Sequence, residues 1–373
     1  MSETEQSRTR WVVKIGSSLL TDHGKGLHHE RVRAWCHDIL ALRDQGIDVV
    51  LVSSGAIAEG CARLGLGKRP VETNLQQAAA AVGQVGLVQA YESFFTEKGV
   101  HTAQILLTHG ELEDRRRYLN ARSTMQTLLS LGVVPIVNEN DTIATEEICF
   151  GDNDTLGALV TNLIEADVFV ILTDQDALYT ADPTKNPDAE RLTEVDADDE
   201  RLLAMAAPTS SSGLGSGGMY TKVVAAKLAS RSGAVTLLAS GQEPNVLKRL
   251  ANNEAIGTRF NPKQAVLSAR KRWLIGQLKP KGQIHLDSGA VAKIANEGKS
   301  LLSVGAVEVS GEFQRGDLVE CLSPDGRKVA SGLVNYGSQD VAKILKLPTT
   351  EMLDALGYMG EPELIHRDNL VVV

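Results

Sequence analysis

The chain has 373 residues, 43% of them hydrophobic and 23% charged, with 38 Lys and Arg against 47 Asp and Glu for a net charge of −9. That balance excludes disorder as its main character, and the negative sign opposes non-specific attraction to a polyanion, so nucleic-acid binding starts at a disadvantage. The length suits two domains. Four cysteines, at positions 36, 61, 149 and 321, form no CxxC pair; neither a disulfide scaffold nor a zinc site is indicated, and a reducing compartment fits. The polar opening MSETEQSRTR runs straight into Trp11-Val12-Val13, and no segment offers eighteen apolar residues in a row. A cytoplasmic protein with no membrane anchor is expected.

Taken in chain order, residues 11–15 read as a strand. Residues 30–45 follow as a helix, with Val32, Trp35, Cys36, Ile39 and Leu42 on one face and Gly46 as its stop. Strands are expected at 47–52, 102–107, 133–137, 168–172 and 235–239, and helices at 74–98, 114–131, 154–165 and 219–232. Residues 142–150 are β-branched and suit a hairpin. The alternation predicts an α/β class, a mainly parallel sheet between helix layers. After about residue 255 the style changes: an Asn-Pro step, the cluster Arg270-Lys271-Arg272 and Lys279-Pro280-Lys281-Gly282 read as a linker, and short alternating runs beyond it suggest a small, mostly-β barrel. The expected division is 1–260, a linker at 261–280, and 281–373.

Three glycine-containing junctions precede helices, where open backbone N–H groups and the helix dipole can hold phosphate or carboxylate. They are Lys14-Ile15-Gly16-Ser17-Ser18, Ser53-Ser54-Gly55-Ala56-Ile57, and Gly213 to Met219, which leads to Lys222. Any one alone is an ordinary turn; the three together are harder to dismiss. Gly213, Gly215 and Gly218 match G-x-G-x-x-G, but no strand precedes them, so a dinucleotide fingerprint is rejected, and no Walker A run exists. Asn138-Glu139-Asn140-Asp141 closes a strand and Gly151-Asp152-Asn153-Asp154 opens a helix; one cap does not account for so many short polar side chains. A carboxylate here could hold Mg²⁺ or orient lysines. Thr173 and Asp174 end a buried strand, where open α/β sheets bind nucleotides. Lys14 stands in an apolar strand and needs an anionic partner, while Lys222 would be a surface residue but for the glycine loop one turn before it. The histidines form no zinc-hydrolase pair, and Ser54 lacks the frame of a nucleophile elbow.

In this order, Val13-Lys14-Ile15-Gly16-Ser17, Val52 to Ile57, Asn138 to Asp141, Gly151 to Asp154, Leu172-Thr173-Asp174 and Gly217-Gly218-Met219-Tyr220-Thr221-Lys222 resemble the bacterial glutamate 5-kinase family. That resemblance covers nearly the whole chain from residue 10 and implies an amino acid kinase fold followed by a PUA domain. The implied reaction is ATP-dependent phosphorylation of the γ-carboxylate of L-glutamate, the first step of proline biosynthesis. Lys14 and Lys222 would hold the transferring phosphoryl group, Asp154 would orient them, and the amides of Gly16, Ser17 and Gly55 would line its path, with Mg²⁺ bridging the phosphates and no metal ligand assigned in the protein. The resemblance implies Ser54, Asp141 and Asn153 for glutamate, with Asp141 facing its α-ammonium. It implies Lys14, Thr173, Asp174, Ser216, Gly217, Gly218, Met219, Tyr220, Thr221 and Lys222 for ATP; Ser216 stands where threonine is expected and keeps a hydroxyl. Feedback inhibition by L-proline and a homo-oligomer, dimer or tetramer, are also implied. The alternatives are another amino acid kinase, acting on acetylglutamate, aspartate or a nucleoside monophosphate, and an RNA-associated PUA protein. Residues 281–373 carry nine Lys and Arg against thirteen Asp and Glu, without the basic stripe that RNA binding requires.

Overall fold

The apolar run of Arg10–Ile15 forms the first strand, β1, and it lies in the middle of a large sheet. The architecture comes from a computed structural model that describes residues 8–21, 26–144, 153–206, 218–262 and 279–372. The chain divides into two compact units. In the first, β1 is followed by β2 (Asp48–Val52), β3 (Thr102–Leu107), β4 (Val134–Glu139), β5 (Val168–Thr173), the short pair β6 (Leu178–Tyr179) and β7 (Arg191–Leu192), β8 (Glu194–Asp196), β9 (Val235–Ser240) and β10 (Thr258–Asn261). Among the described residues, eight of these join in the order β3-β4-β2-β1-β5-β9-β10-β8. Every pairing in that sheet is parallel except β9 with β10. From β1 the strand order runs outward both ways, through β2 on one side and β5 on the other. Such a reversal opens a crevice beyond the carboxyl ends of the strands, where ligands of open α/β sheets settle.

The helices described between Ser17 and Ala251 are α1 (Ser17–Leu20), α2 (His29–Asp44), α3 (Ala56–Arg63), α4 (Thr73–Thr96), α5 (His109–Glu113), α6 (Arg115–Ser130), α7 (Asn153–Leu163), α8 (Arg201–Met205), α9 (Met219–Ser230) and α10 (Val246–Ala251). Successive strand residues face opposite sides. Trp11, Val13 and Ile15 therefore join one core with Trp35 and Ile39 of α2, Tyr91 of α4 and Leu247 of α10. Lys14 faces the other layer, where α7 lies close: a Cβ added at Gly157 would sit 2.7 Å from the Phe169 ring and 3.4 Å from Lys14 Cβ. The α/β expectation holds and the bounds of the expected elements shift by a few residues, while α1, α3, α8 and α10 and the strands β6, β7, β8 and β10 had no counterpart among the ranges expected from sequence. β4 runs on through Asn138 and Glu139, two residues beyond the expected 133–137. The helix expected from 114 is preceded by the separate turn α5, started by a Thr108–Glu111 capping box. α3 packs on α4 through glycines, since a Cβ at Gly60 would lie 1.7 Å from Ala79 O and one at Gly83 1.9 Å from Ala56 O. Of the expected hairpin, residues 142–144 belong to a turn region and 145–150 lie outside the described residues.

The second unit contains β11 (Gly282–Leu286), α11 (Ser288–Glu297), β12 (Ala306–Gly311), β13 (Leu318–Leu322), β14 (Lys328–Leu333), α12 (Ser338–Ile344), α13 (Met352–Leu356) and β15 (Leu370–Val372). Its strands pair in the order β12-β11-β13-β14-β15 over a core that includes Ile284, Phe313, Val319, Tyr336 and Ile365. This is the expected mostly-β unit, with three α-helices among its described residues. The first had readable signals: Asp287 accepts from Ala290 N at 2.6 Å as an N-cap, and Gly298 ends the helix at φ 61°.

Candidate active site

The carboxyl end of β1 carries a buried ionic array. Lys14 Nζ lies 2.5 Å from Asp154 Oδ1, Lys222 Nζ lies 3.1 Å from Asp154 Oδ2, and Thr221 Oγ1 donates to Oδ2 at 2.9 Å. Lys14 is 5% exposed, Lys222 4% and Asp154 1%. Lys222, which taken alone reads as a surface residue, is thus internal. Burial pushes the Asp154 carboxyl up, but the two ammonium groups and the bonds from Lys14 and Thr221 outweigh it and hold the group below the usual carboxylate range. The four members come from three elements: Lys14 from β1, Asp154 from the first turn of α7, Thr221 and Lys222 from the first turn of α9. One carboxylate shared by two ammonium groups leaves an excess positive charge, which suits a ligand that brings its own negative charge.

Beside it, the Asn153 side chain does not cap its helix. Its Nδ2 lies 2.8 Å from Ser53 O, 2.9 Å from Ser54 Oγ and 3.0 Å from Asn138 Oδ1, tying the loop after β2 to the end of β4. Asn138 Nδ2 donates to Gln84 Oε1 at 2.7 Å, and Ser53 Oγ lies 3.1 Å from the buried Tyr91 hydroxyl, whose pKa burial raises. Gln84 and Tyr91, seven residues apart on the inner face of α4, were not anticipated. The only trace of them in sequence is their shared helix face. Asp141 is half-buried just past β4; burial raises its pKa to about 6, with Arg69 opposing.

The structure corrects one backbone assignment. The Gly16 N–H donates to Leu172 O at 3.0 Å, so it is engaged in the β1–β5 junction and does not line a phosphoryl path. Gly16 instead provides space, since a Cβ there would meet Leu172 O at 3.3 Å and Lys14 Nζ at 4.0 Å. Ser17 opens α1, leaving its N–H unused by that helix. Gly55 caps α3 at φ 89°, a left-handed conformation that glycine adopts without strain. Thr173 is buried at the end of β5 and donates to the exposed Asp174 at 3.0 Å. Gly218 precedes α9 and accepts from Thr221, Met219 and the partly exposed Tyr220 form its first turn, and Ser216 and Gly217 lie outside the described residues. Among the described residues no group of three or more His, Cys, Asp or Glu is placed to hold a metal, and no helix is long and apolar enough to cross a membrane.

Buried lysines locked on one carboxylate, at the strand ends of a parallel sheet, define a protein that handles anionic groups such as phosphate. Residues 9–238 match the family model of the amino acid kinase family and residues 282–354 that of the PUA domain. The chain is 59% identical over 364 residues to a glutamate 5-kinase of Burkholderia multivorans, covering 98% of each chain. It is 59% identical over 367 residues to a glutamate 5-kinase of Bordetella petrii, covering 98% of this chain and 97% of that one. Among solved structures, a UMP kinase from Bacillus anthracis superposes with a TM-score of 0.49 at 17% identity, over 69% of this chain and 97% of that one. The chain belongs to the amino acid kinase family and, within it, to the glutamate 5-kinases.

Proposed function

We propose that the protein transfers the γ-phosphoryl group of ATP to the γ-carboxylate of L-glutamate, yielding ADP and L-glutamyl 5-phosphate, the first step of proline biosynthesis. The observation that carries this reading is the Lys14–Asp154–Lys222 array, joined to the 59% identity with proteins named glutamate 5-kinase. A γ-carboxylate is already ionised at neutral pH, so no general base is needed. A carboxylate oxygen attacks the γ-phosphorus, the bond to the β-phosphate oxygen breaks, and the electron pair leaves with ADP. Catalysis reduces to alignment and charge cancellation. Lys14 and Lys222 neutralise the transferring group while Asp154 holds both ammonium groups in place, and the amides of Ser17 and Gly55 donate along the path. Thr173, Asp174 and the segment from Ser216 to Lys222 bind ATP. Ser54, Asp141 and Asn153 bind glutamate, Asp141 through the α-ammonium.

Magnesium fits this site as a companion of the nucleotide. Both Asp154 oxygens are engaged by lysines and Thr221, so the described residues build no cage for the ion, and it would arrive on the ATP phosphates, where it spreads their charge. The domain boundary falls at 261–280, the second domain adjusts regulation or assembly, L-proline inhibits at a site overlapping that of glutamate, and the protein works in the cytoplasm as a homo-oligomer. A coupled ADP-release assay with glutamate, acetylglutamate and aspartate tests the reading; turnover of acetylglutamate or aspartate in preference to glutamate would replace it with another amino acid kinase activity.

A further inference from the structure

The amides beside the ionic array form a relay with one polarity. The Glu139 N–H donates to Asn138 Oδ1 at 2.9 Å, and a backbone N–H cannot accept, so Asn138 must turn its Nδ2 the other way. That Nδ2 meets Gln84 Oε1 at 2.7 Å, while Asn138 Oδ1 also receives Asn153 Nδ2 at 3.0 Å. Turning the Asn153 amide over would set its oxygen against Ser53 O and Asn138 Oδ1, two acceptors. Asn153 Oδ1 is therefore held on the opposite side, and none of the hydrogen bonds of the described residues ends on it. Gln84 is only 8% exposed, and among the described residues its Nε2 has no hydrogen-bond partner. A buried amide that leaves its donor unsatisfied is costly, so its acceptor is the part in use.

On the reading of an amino acid as substrate, we propose that Gln84 is a positioning residue: by accepting from Asn138 it fixes the relay so that Asn153 presents its carbonyl oxygen to the substrate α-ammonium. The oxygen would complement Asp141, and its partner is specifically a positive group. This separates the role from general support of the site. A dicarboxylate lacking the amino group should be indifferent to the relay.

The test compares Gln84→Met, of similar length but without the oxygen acceptor, with Gln84→Glu, whose buried carboxyl is driven towards the neutral form and still accepts. In Gln84→Met the KM for glutamate should rise about tenfold or more, while kcat, the KM for ATP and the Ki of glutarate stay within about twofold. Gln84→Glu should bring the glutamate KM back to within about threefold of wild type. An unchanged glutamate KM in Gln84→Met, or an equal rise in the glutarate Ki, overturns the proposal. Should the wild-type enzyme fail to turn over glutamate, the substrate reading falls, and the relay is judged on the wild-type protein by NMR. There the Asn153 side-chain NH₂, assigned by its loss in Asn153→Asp, should be protected from solvent exchange without ligand, a check that also serves if Gln84→Met does not fold. Rapid exchange of that NH₂ overturns the proposal.

Discussion

Asp154 sits between two ammonium groups, and the consequences of removing each partner differ. Without Lys14 or Lys222 the carboxylate keeps one counter-ion, so Lys14→Met and Lys222→Met should remain folded while kcat falls about 10²–10³-fold, the loss typical of one charge-stabilising donor. Steady-state kinetics with circular dichroism checks both halves of that statement. Asp154→Asn removes the carboxylate that two buried ammonium groups share; losing one member of a buried ion pair costs about 3–5 kcal/mol, and thermal unfolding should show a lower Tm as well as lost activity. The Asp154 carboxyl is held below its usual range. Its contribution to stability is therefore complete above the unfolded value near 3.9 and is lost only as pH falls through the lower folded pKa. Asp141 behaves in the opposite sense. With its pKa raised to about 6, it takes up a proton in the folded protein before it would in the unfolded chain, so this one group favours folding as pH falls from about 6 towards 4. An ammonium ligand needs the carboxylate, however. The KM for glutamate should climb as pH drops below 6 while the KM for ATP changes little, and Asp141→Asn should abolish that pH dependence. A flat glutamate KM between pH 5 and 7 would remove Asp141 from the ammonium site.

The glycines of α3 and α4 set how close these two helices come, and α4 carries Gln84 directly after Gly83. In Gly83→Ala the new methyl would overlap Ala56 O, a backbone atom at 1.9 Å, so α4 must move; overpacking of this kind costs about 1–3 kcal/mol. A lower urea midpoint is expected, together with a weaker glutamate affinity. The loop before α3 is sensitive for another reason: Gly55→Ala forces a side chain into a left-handed turn at about 1–2 kcal/mol, and, on the role proposed for the Gly55 amide, it should lower kcat. The strands and long helices were legible because apolar residues alternate or recur along them. Lys14 stood out as an ammonium in an apolar strand, and Lys222 through the glycine loop before it. Other features leave no such trace. The direction of the Gly16 N–H is decided by the register between β1 and β5, and Gln84 and Tyr91 occupy a helix without a charged residue from Thr73 to Tyr91, where only the tertiary fold shows which side chains meet the site. The turn α5 and the last two helices of the second unit are only five to seven residues long, too short to show a helical period, whereas α11 carries cap signals that the sequence expectations left out.

At the scale of the molecule, the second unit has its own core, in which Ile284, Val319, Tyr336 and Ile365 take part, and each charged group of the candidate site lies at or before Lys222. Expressed alone, residues 1–278 should fold and phosphorylate glutamate, since a unit with its own core can fold by itself. Activity and thermal unfolding of the fragment check it; a folded but inactive fragment would make the second unit part of the catalyst. The layout of the sheet also governs when the enzyme comes into being. Trp11 of β1 lies opposite Val168 of β5, and Asp154 meets lysines 140 and 68 residues away in sequence. Contacts of such long range close slowly. On the ribosome the first strand is made early and must wait for its inner neighbours, and Asp154 has only one of its two lysines until α9 has emerged. On the roles proposed for Asp154 and Lys222, a nascent chain should therefore stay catalytically silent until α9 has been made, and in refolding experiments the return of phosphoryl transfer should lag behind the return of helical signal.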